Sequence, residues 1–159
     1  TSASSSTFWR GDGTWASAGG GNTPSFYAYK TGNTSVDSGT LTVLVPSTEV
    51  FDSDSTYDTS NGRFTPAVAG KYFIGCSWRI NSSQATRAFA QIFKNGSADG
   101  AIKVQEYEMD SSGSHAGGHT TAIIDSDDDD YFQVYAYHNR GQTENVFDAV
   151  FYGFKIAGV

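Results

Sequence analysis

Beyond residue 24 the chain runs in short stretches of β-branched and aromatic residues, broken about every ten positions by Gly, Asn, Asp and Ser. Strands joined by tight turns give that spacing, so the pattern predicts an all-β sandwich or barrel. Strands are predicted at Phe26–Lys30, Thr40–Val45, Arg63–Pro66, Lys71–Ile80, Arg87–Lys94, Ile102–Glu108, His119–Ile124, Tyr131–Tyr137 and Asp148–Ile156. The turns are chemically explicit. Asn95-Gly96 is a hairpin signal, because both residues adopt positive φ cheaply, and Asn61-Gly62 and Ser112-Gly113 are similar. Leu, Ala, Glu and Lys never gather into an amphipathic run, so helix is not expected.

Within Lys71–Ile80 the residues Tyr72, Ile74, Cys76, Trp78 and Ile80 alternate, as in a strand with one buried face. Other strands break the alternation. Ala88-Phe89-Ala90-Gln91-Ile92-Phe93 and Tyr131-Phe132-Gln133-Val134-Tyr135-Ala136-Tyr137 carry large residues on both faces. A second buried surface is implied, and contact with identical subunits is a natural source of one. Phe89, Phe93, Tyr131, Tyr135, Tyr137 and Phe151 are the interface candidates, each of which core packing also explains.

Residues 1–23 read differently. They are rich in Ser, Thr and Gly and end in Gly19-Gly20-Gly21-Asn22, a composition that buries too little apolar surface to fold alone. A tail or linker is expected there, with the head at 24–159. Phe8, Trp9 and Trp15 are costly to leave in water and are expected to dock on the domain or on a neighbour. The polar start and the lack of an initial methionine are read as those of a fragment or processed product.

Composition narrows the function. The 159 residues are 38% hydrophobic and 14% aromatic, enough for one packed core. A net charge of −7 with singly scattered Lys and Arg argues against nucleic acid and anionic membranes as partners. No stretch approaches the roughly 20 apolar residues of a membrane-spanning helix. The single cysteine, Cys76, excludes an intrachain disulfide and falls where a small buried hydrophobe belongs.

The segment Gly62-Arg63-Phe64-Thr65-Pro66-Ala67-Val68-Ala69-Gly70-Lys71-Tyr72-Phe73, after Tyr57-Asp58, resembles the signature of the complement component 1q and tumour-necrosis-factor-like globular head. Phe26-Tyr27-Ala28, Ile92-Phe93-Lys94-Asn95-Gly96, Asp130-Tyr131-Phe132-Gln133-Val134 and Phe151-Tyr152-Gly153-Phe154-Lys155-Ile156 follow in the family's order. The resemblance spans roughly Pro24 to Val159. It implies a ten-stranded antiparallel jelly roll assembled as a homotrimer. Two departures are the Ser/Gly/His segment from Ser111 to Gly118 and the lack of a collagen-like stalk, so complement function does not carry over. In the tail, Phe8-Trp9-Arg10-Gly11-Asp12-Gly13-Thr14-Trp15-Ala16 resembles a leader common before C-terminal domains of bacteriophage fibre proteins.

Chemical motifs add little. Arg10-Gly11-Asp12 matches an adhesion tripeptide, but three-residue matches are frequent by chance and a linker turn explains it. Asp125-Ser126-Asp127-Asp128-Asp129-Asp130 gathers hard oxygen ligands, which makes Asp127, Asp128 and Asp130 candidates for calcium, while a solvated acidic loop is the plainer reading. His115 and His119 would converge on zinc only in a helix, which Gly117-Gly118 opposes. Sequon matches at Asn33, Asn81 and Asn95 are expected by chance in so Ser/Thr-rich a chain. Neither a nucleophile elbow nor a phosphate loop is present, and Glu106 and Glu108 read as neighbours on an exposed strand.

The expectation is a non-enzymatic, homotrimeric head at a virion surface. Its tail would contact other virion proteins, and its loops a host-surface or glycan ligand. No cofactor is expected, calcium apart. The alternative is a secreted recognition or cytokine-like domain of a cellular organism.

Overall fold

The computed structural model describes residues 7–17, 21–81, 87–97 and 115–156. Every described element is a strand and every pairing is antiparallel. Strands β1 (Thr7–Trp9) and β2 (Trp15–Ser17) form a separate hairpin. The remainder are β3 (Ser25–Val36), β4 (Thr42–Leu44), β5 (Thr48–Asp52), β6 (Tyr57–Asp58), β7 (Arg63–Phe64), β8 (Gly70–Asn81), β9 (Ala88–Lys94), β10 (Ala116–Ser126), β11 (Phe132–His138) and β12 (Glu144–Lys155). They make two sheets. The larger runs β10-β8-β12-β3-β5, and the smaller runs β4-β11-β7-β6 with β9 also on β11. Among the described residues the two sheets hold ten strands, an antiparallel jelly roll.

Alternation along β8 seats Tyr72, Ile74, Cys76, Trp78 and Ile80 in the core, with Phe26 and Ala28 from β3 and Ala149 and Phe151 from β12. The smaller sheet answers with Ala88, Ala90 and Ile92 from β9, Phe132, Val134 and Ala136 from β11, and Leu44, Tyr57 and Phe64. Phe26 is the hub. It stacks on Tyr57 at 4.8 Å and Phe64 at 4.3 Å and meets Phe151 edge-on at 4.9 Å. Each such pair contributes about 0.5–1.5 kcal/mol beyond the area it buries. Tyr57 stays compatible with the core because its hydroxyl donates to Pro46 O at 2.7 Å. Burial holds that phenol protonated far above the ordinary range. Cys76 is a buried thiol pushed up to about 12 by desolvation, an inert core residue as its place in the alternation indicated.

Turn chemistry follows the sequence where glycine is required. Asn95 and Gly96 both have positive φ (54° and 72°), the geometry of a tight primed hairpin turn. Gly62 has φ 72°, and a Cβ there would sit 2.9 Å from Leu44 O, so no other residue fits without backbone movement.

Several boundaries differ from expectation. Strand β3 continues to Val36 through Thr31-Gly32-Asn33, which reads as a turn in isolation. Pairing with β12 overrides that local signal, with a register shift between Val146 and Asp148. Strand β5 was not anticipated, because an edge strand with Glu49 and Asp52 and almost no burial has no apolar rhythm. Of the predicted strand Arg63–Pro66 only Arg63 and Phe64 are strand, paired with Asp58 and Tyr57. The tail, expected to lack structure, carries a hairpin. The predicted strand Ile102–Glu108 and the turn Ser112-Gly113 lie outside the described residues.

Candidate functional site

Each sheet turns an aromatic face outward. On the larger sheet, the positions alternate to the core residues bring together Phe51 of β5, Tyr27 of β3, Tyr152 and Phe154 of β12, Phe73 of β8, and His119 and Ile123 of β10. Tyr27 lies between Phe51 (centroids 6.4 Å apart) and Tyr152 (6.1 Å). Phe73 contacts Tyr152 at 6.3 Å and Phe154 at 5.4 Å. The ladder ends on His119, whose ring stacks on Tyr152 at 6.0 Å and whose Nε2 is 2.6 Å from the Tyr152 hydroxyl. Gly75 makes this possible, since any side chain there would occupy the space of the Tyr152 ring. Desolvation raises the Tyr152 phenol pKa, so it remains a neutral hydroxyl. The face is open to solvent at both edge strands: Ile123 of β10 is 65% exposed and Phe51 of β5 50%. Apart from His119, weighed with His115 as a zinc ligand, these residues were not singled out from the sequence as a surface. The signal was there in Tyr27, Phe73, Tyr152 and Phe154, large residues on the side of their strands away from the core.

On the smaller sheet, Phe89 stacks on Tyr137 at 5.0 Å and Phe93 on Tyr135 at 4.2 Å. The Arg87 guanidinium lies 5.1 Å from the Phe89 centroid, and Arg63 lies 3.8 Å over Tyr131. Five of the six interface candidates thus share one face. Phe89 and Phe93 are already 7% and 5% exposed within one chain, whereas Tyr131, Tyr135 and Tyr137 are partly exposed. Phe151 stands apart from them: it is fully enclosed in the core against Phe26 and Tyr57, with no surface to offer a neighbour, because its parity on β12 points it between the sheets.

The acidic turn is held by protein donors. The Asp130 carboxylate, 4% exposed, accepts from Asn95 Nδ2 at 2.7 Å and Asp127 N at 2.6 Å and pairs with Lys94 Nζ at 2.5 Å. Burial pushes its pKa up, but these bonds outweigh burial and leave it below the ordinary carboxylate value. Asp125 pairs with Lys71, while Asp127 and Asp128 are exposed. Among the described residues no three His, Cys, Asp or Glu side chains gather as a metal-holding group, and Asp130 is committed to pinning this turn to Asn95. The three histidines are likewise dispersed: His115 meets Phe147, His119 meets Tyr152, and buried His138 contacts Val36 O at 2.8 Å.

In the tail hairpin, Trp9 and Trp15 meet edge to face at 5.2 Å, and Trp9 is 59% exposed. The Phe8 side chain lies outside the described residues. Arg10-Gly11-Asp12 forms the turn, closed by Arg10 N to Thr14 O at 2.7 Å. Asp12 Oδ1 accepts from both the hydroxyl and the amide of Thr14, which hold its pKa low.

The family model of the C1q domain matches residues 25–156. The chain belongs to the C1q domain family. Among solved structures, this C1q domain is similar to the globular domain of zebrafish complement 1qA protein, with a TM-score of 0.60, 14% identity and coverage of 84% of this chain and 97% of that one. Murine APRIL aligns with a TM-score of 0.59 and 6% identity over 83% and 99% of the two chains. PRD1 vertex protein P5 aligns with a TM-score of 0.55 and 17% identity over 86% and 99%. At these identities the likenesses establish the fold. Against curated protein sequences the chain finds no match.

Proposed function

We propose that this C1q domain is a non-enzymatic recognition head that assembles as a homotrimer through the outer face of its larger sheet. The observation that carries the reading is the ladder from Phe51 through Tyr27 and Tyr152 to His119, with Ile123 on the same face of β10 opposite Phe73. It is a continuous aromatic surface crossing β5, β3, β12, β8 and β10 and open at both edges. A surface of that kind, low in charge at its centre, suits a permanent subunit contact. Phe89 and Phe93 are largely covered within one chain, so the smaller sheet gains less from self-contact and is left as the displayed side. Three copies on one support would convert weak ligand contacts into avidity.

We place the head at a virion surface, facing host or environmental glycans, with the tail hairpin directed to other virion proteins. Two features support that setting: the leader resemblance of Phe8 to Ala16, which folds as its own hairpin, and the likeness to a vertex protein. The likeness to a complement domain supports the second reading, a secreted recognition domain. Sequence upstream of Thr1 separates them: fibre or capsid sequence supports the first, a signal peptide and a collagen or coiled-coil stalk the second.

A further inference from the structure

The aromatic ladder of the larger sheet closes on a histidine rather than on another apolar ring. His119 faces outward from β10 and is exposed in the single chain, with its ring on Tyr152 at 6.0 Å. Its Nε2 meets the Tyr152 hydroxyl at 2.6 Å, a neutral partner, since desolvation raises the pKa of that phenol. Across the sheet His119 is in register with Ser77 of β8, and Val150 of β12 and Tyr29 of β3 continue the same row. None of these carries a carboxylate.

The charged groups around the face are matched to one another. Lys71 of β8 pairs with Asp125 of β10 toward one end, and Arg79 of β8 pairs with Asp148 of β12 toward the other. On β3, Tyr27 stacks on Tyr152, and Lys30 has the core parity of Ala28. At the β9 side, Lys94 is turned to Asp130 and Arg87 lies over Phe89. The other histidines stand elsewhere, His115 against Phe147 before β10 begins and His138 in the core at Val36 O. Of the ladder residues, His119 is the one whose side-chain type changes charge between pH 5 and 8. Covering a neutral imidazole with another copy of this face leaves no charge behind. Covering an imidazolium with no carboxylate beside it leaves a desolvated, uncompensated cation, and threefold symmetry repeats that cost on three rings.

We propose that His119 makes the assembly acid-sensitive: the trimer holds while the ring is neutral and loosens as pH falls through the imidazole range. This names a regulation of the contact face described above and rests on it. The direction follows from linkage, because a ring that takes up its proton more readily in the separate chain than in the trimer favours assembly at higher pH. Each such ring lowers the association constant by up to about tenfold per pH unit, and three compound to up to about a thousandfold.

The test compares the full chain at pH 8 and pH 5.5, a window that stays above the ordinary carboxylate range near 4. Mass is read by light scattering over a dilution series, and subunit exchange between N-terminally donor-labelled and acceptor-labelled assemblies is read alongside, with circular dichroism to follow the fold. Wild type is expected to be trimeric at pH 8 and to lose at least tenfold in association constant at pH 5.5. Where the mass does not fall on dilution, exchange should be at least tenfold faster at pH 5.5. His119→Phe keeps a ring on Tyr152 and removes the titrating group, so its mass and exchange should be the same at both pH values. His119→Gln should behave alike, and it remains informative if Phe disturbs the contact. A wild type unchanged between the two pH values, an acid response of equal size in both variants, or a response that comes with loss of the folded spectrum overturns the proposal. A trimer with no acid response removes only this inference, whereas a monomeric mass at pH 8 removes the assembly reading and this inference with it.

Discussion

Replacing Asp130 with Asn tests whether the acidic turn is a structural pin. The carboxylate is nearly enclosed and satisfies three groups at once: the Asp127 amide, Asn95 Nδ2 and Lys94 Nζ. Asn95 in turn accepts from Tyr131 N at 3.0 Å, so the pin joins the β9 hairpin turn to the start of β11. Asn keeps one acceptor oxygen but presents an NH2 where the second oxygen was, and it removes the charge facing Lys94. Hydrogen bonds to charged groups are worth about 1.5–3 kcal/mol each, and breaking a buried pair costs about 3–5 kcal/mol. With one bond retained, a loss of about 3 kcal/mol is expected. For a domain this size that is a drop of about 6–12 °C in melting temperature, read by circular dichroism at fixed protein concentration. The effect has a sign in pH. Asp130 is ionised more readily folded than unfolded, so its stabilisation is complete above the unfolded carboxylate value near 3.9 and fades as pH falls through the lower folded value. The gap between wild type and variant should therefore be widest at pH 7 and narrow progressively as pH falls below about 4. A variant melting within 1 °C of wild type at pH 7, or a gap that does not narrow between pH 7 and the acid range, refutes the reasoning.

Three further outcomes are expected. Gly75→Ala pushes the Tyr152 ring off the sheet and breaks its contact with His119, which should cost about 1–3 kcal/mol in the fold and reduce the assembled mass; an unchanged mass counts against the ladder as the contact face. Cys76 should resist thiol reagents at pH 8 until the domain unfolds, because burial pushes its thiol up to about 12, so labelling in seconds under native conditions contradicts the core placement. Trp9→Ala should leave the melting temperature of the head unchanged, since Trp9 pairs with Trp15 inside the tail hairpin; a fall of several degrees would show that the hairpin docks on the head.

The sandwich was legible in the chain because most of its long strands carry their own evidence. Residues 71–80 alternate cleanly, and Asn95-Gly96 forces the turn it announces. Phe89, Phe93, Tyr135 and Tyr137 were recognisable as a second apolar surface, and they do share a face. What failed was anything decided by a partner strand. Strand β5 has no rhythm because its pairing to β3 supplies its order, and Thr31 to Val36 stay extended only because β12 lies alongside. Parity placed Phe151 in the core and Tyr152 on the ladder, a distinction invisible in an unbroken run of large residues until register is known. The His119 and Tyr152 contact joins residues 33 apart, and the Arg63 and Tyr131 stack joins two more that no local pattern connects.

The central claim is that copies of this C1q domain meet across the larger sheet, and the most direct measurement is solution mass by light scattering for wild type and Ile123→Asp. Ile123 is 65% exposed, so Asp there leaves the monomer fold intact while placing a charge in the proposed contact. The account predicts three times 17.0 kDa for wild type and 17.0 kDa for a folded variant. A monomeric wild type, or a variant that keeps the trimeric mass, contradicts it.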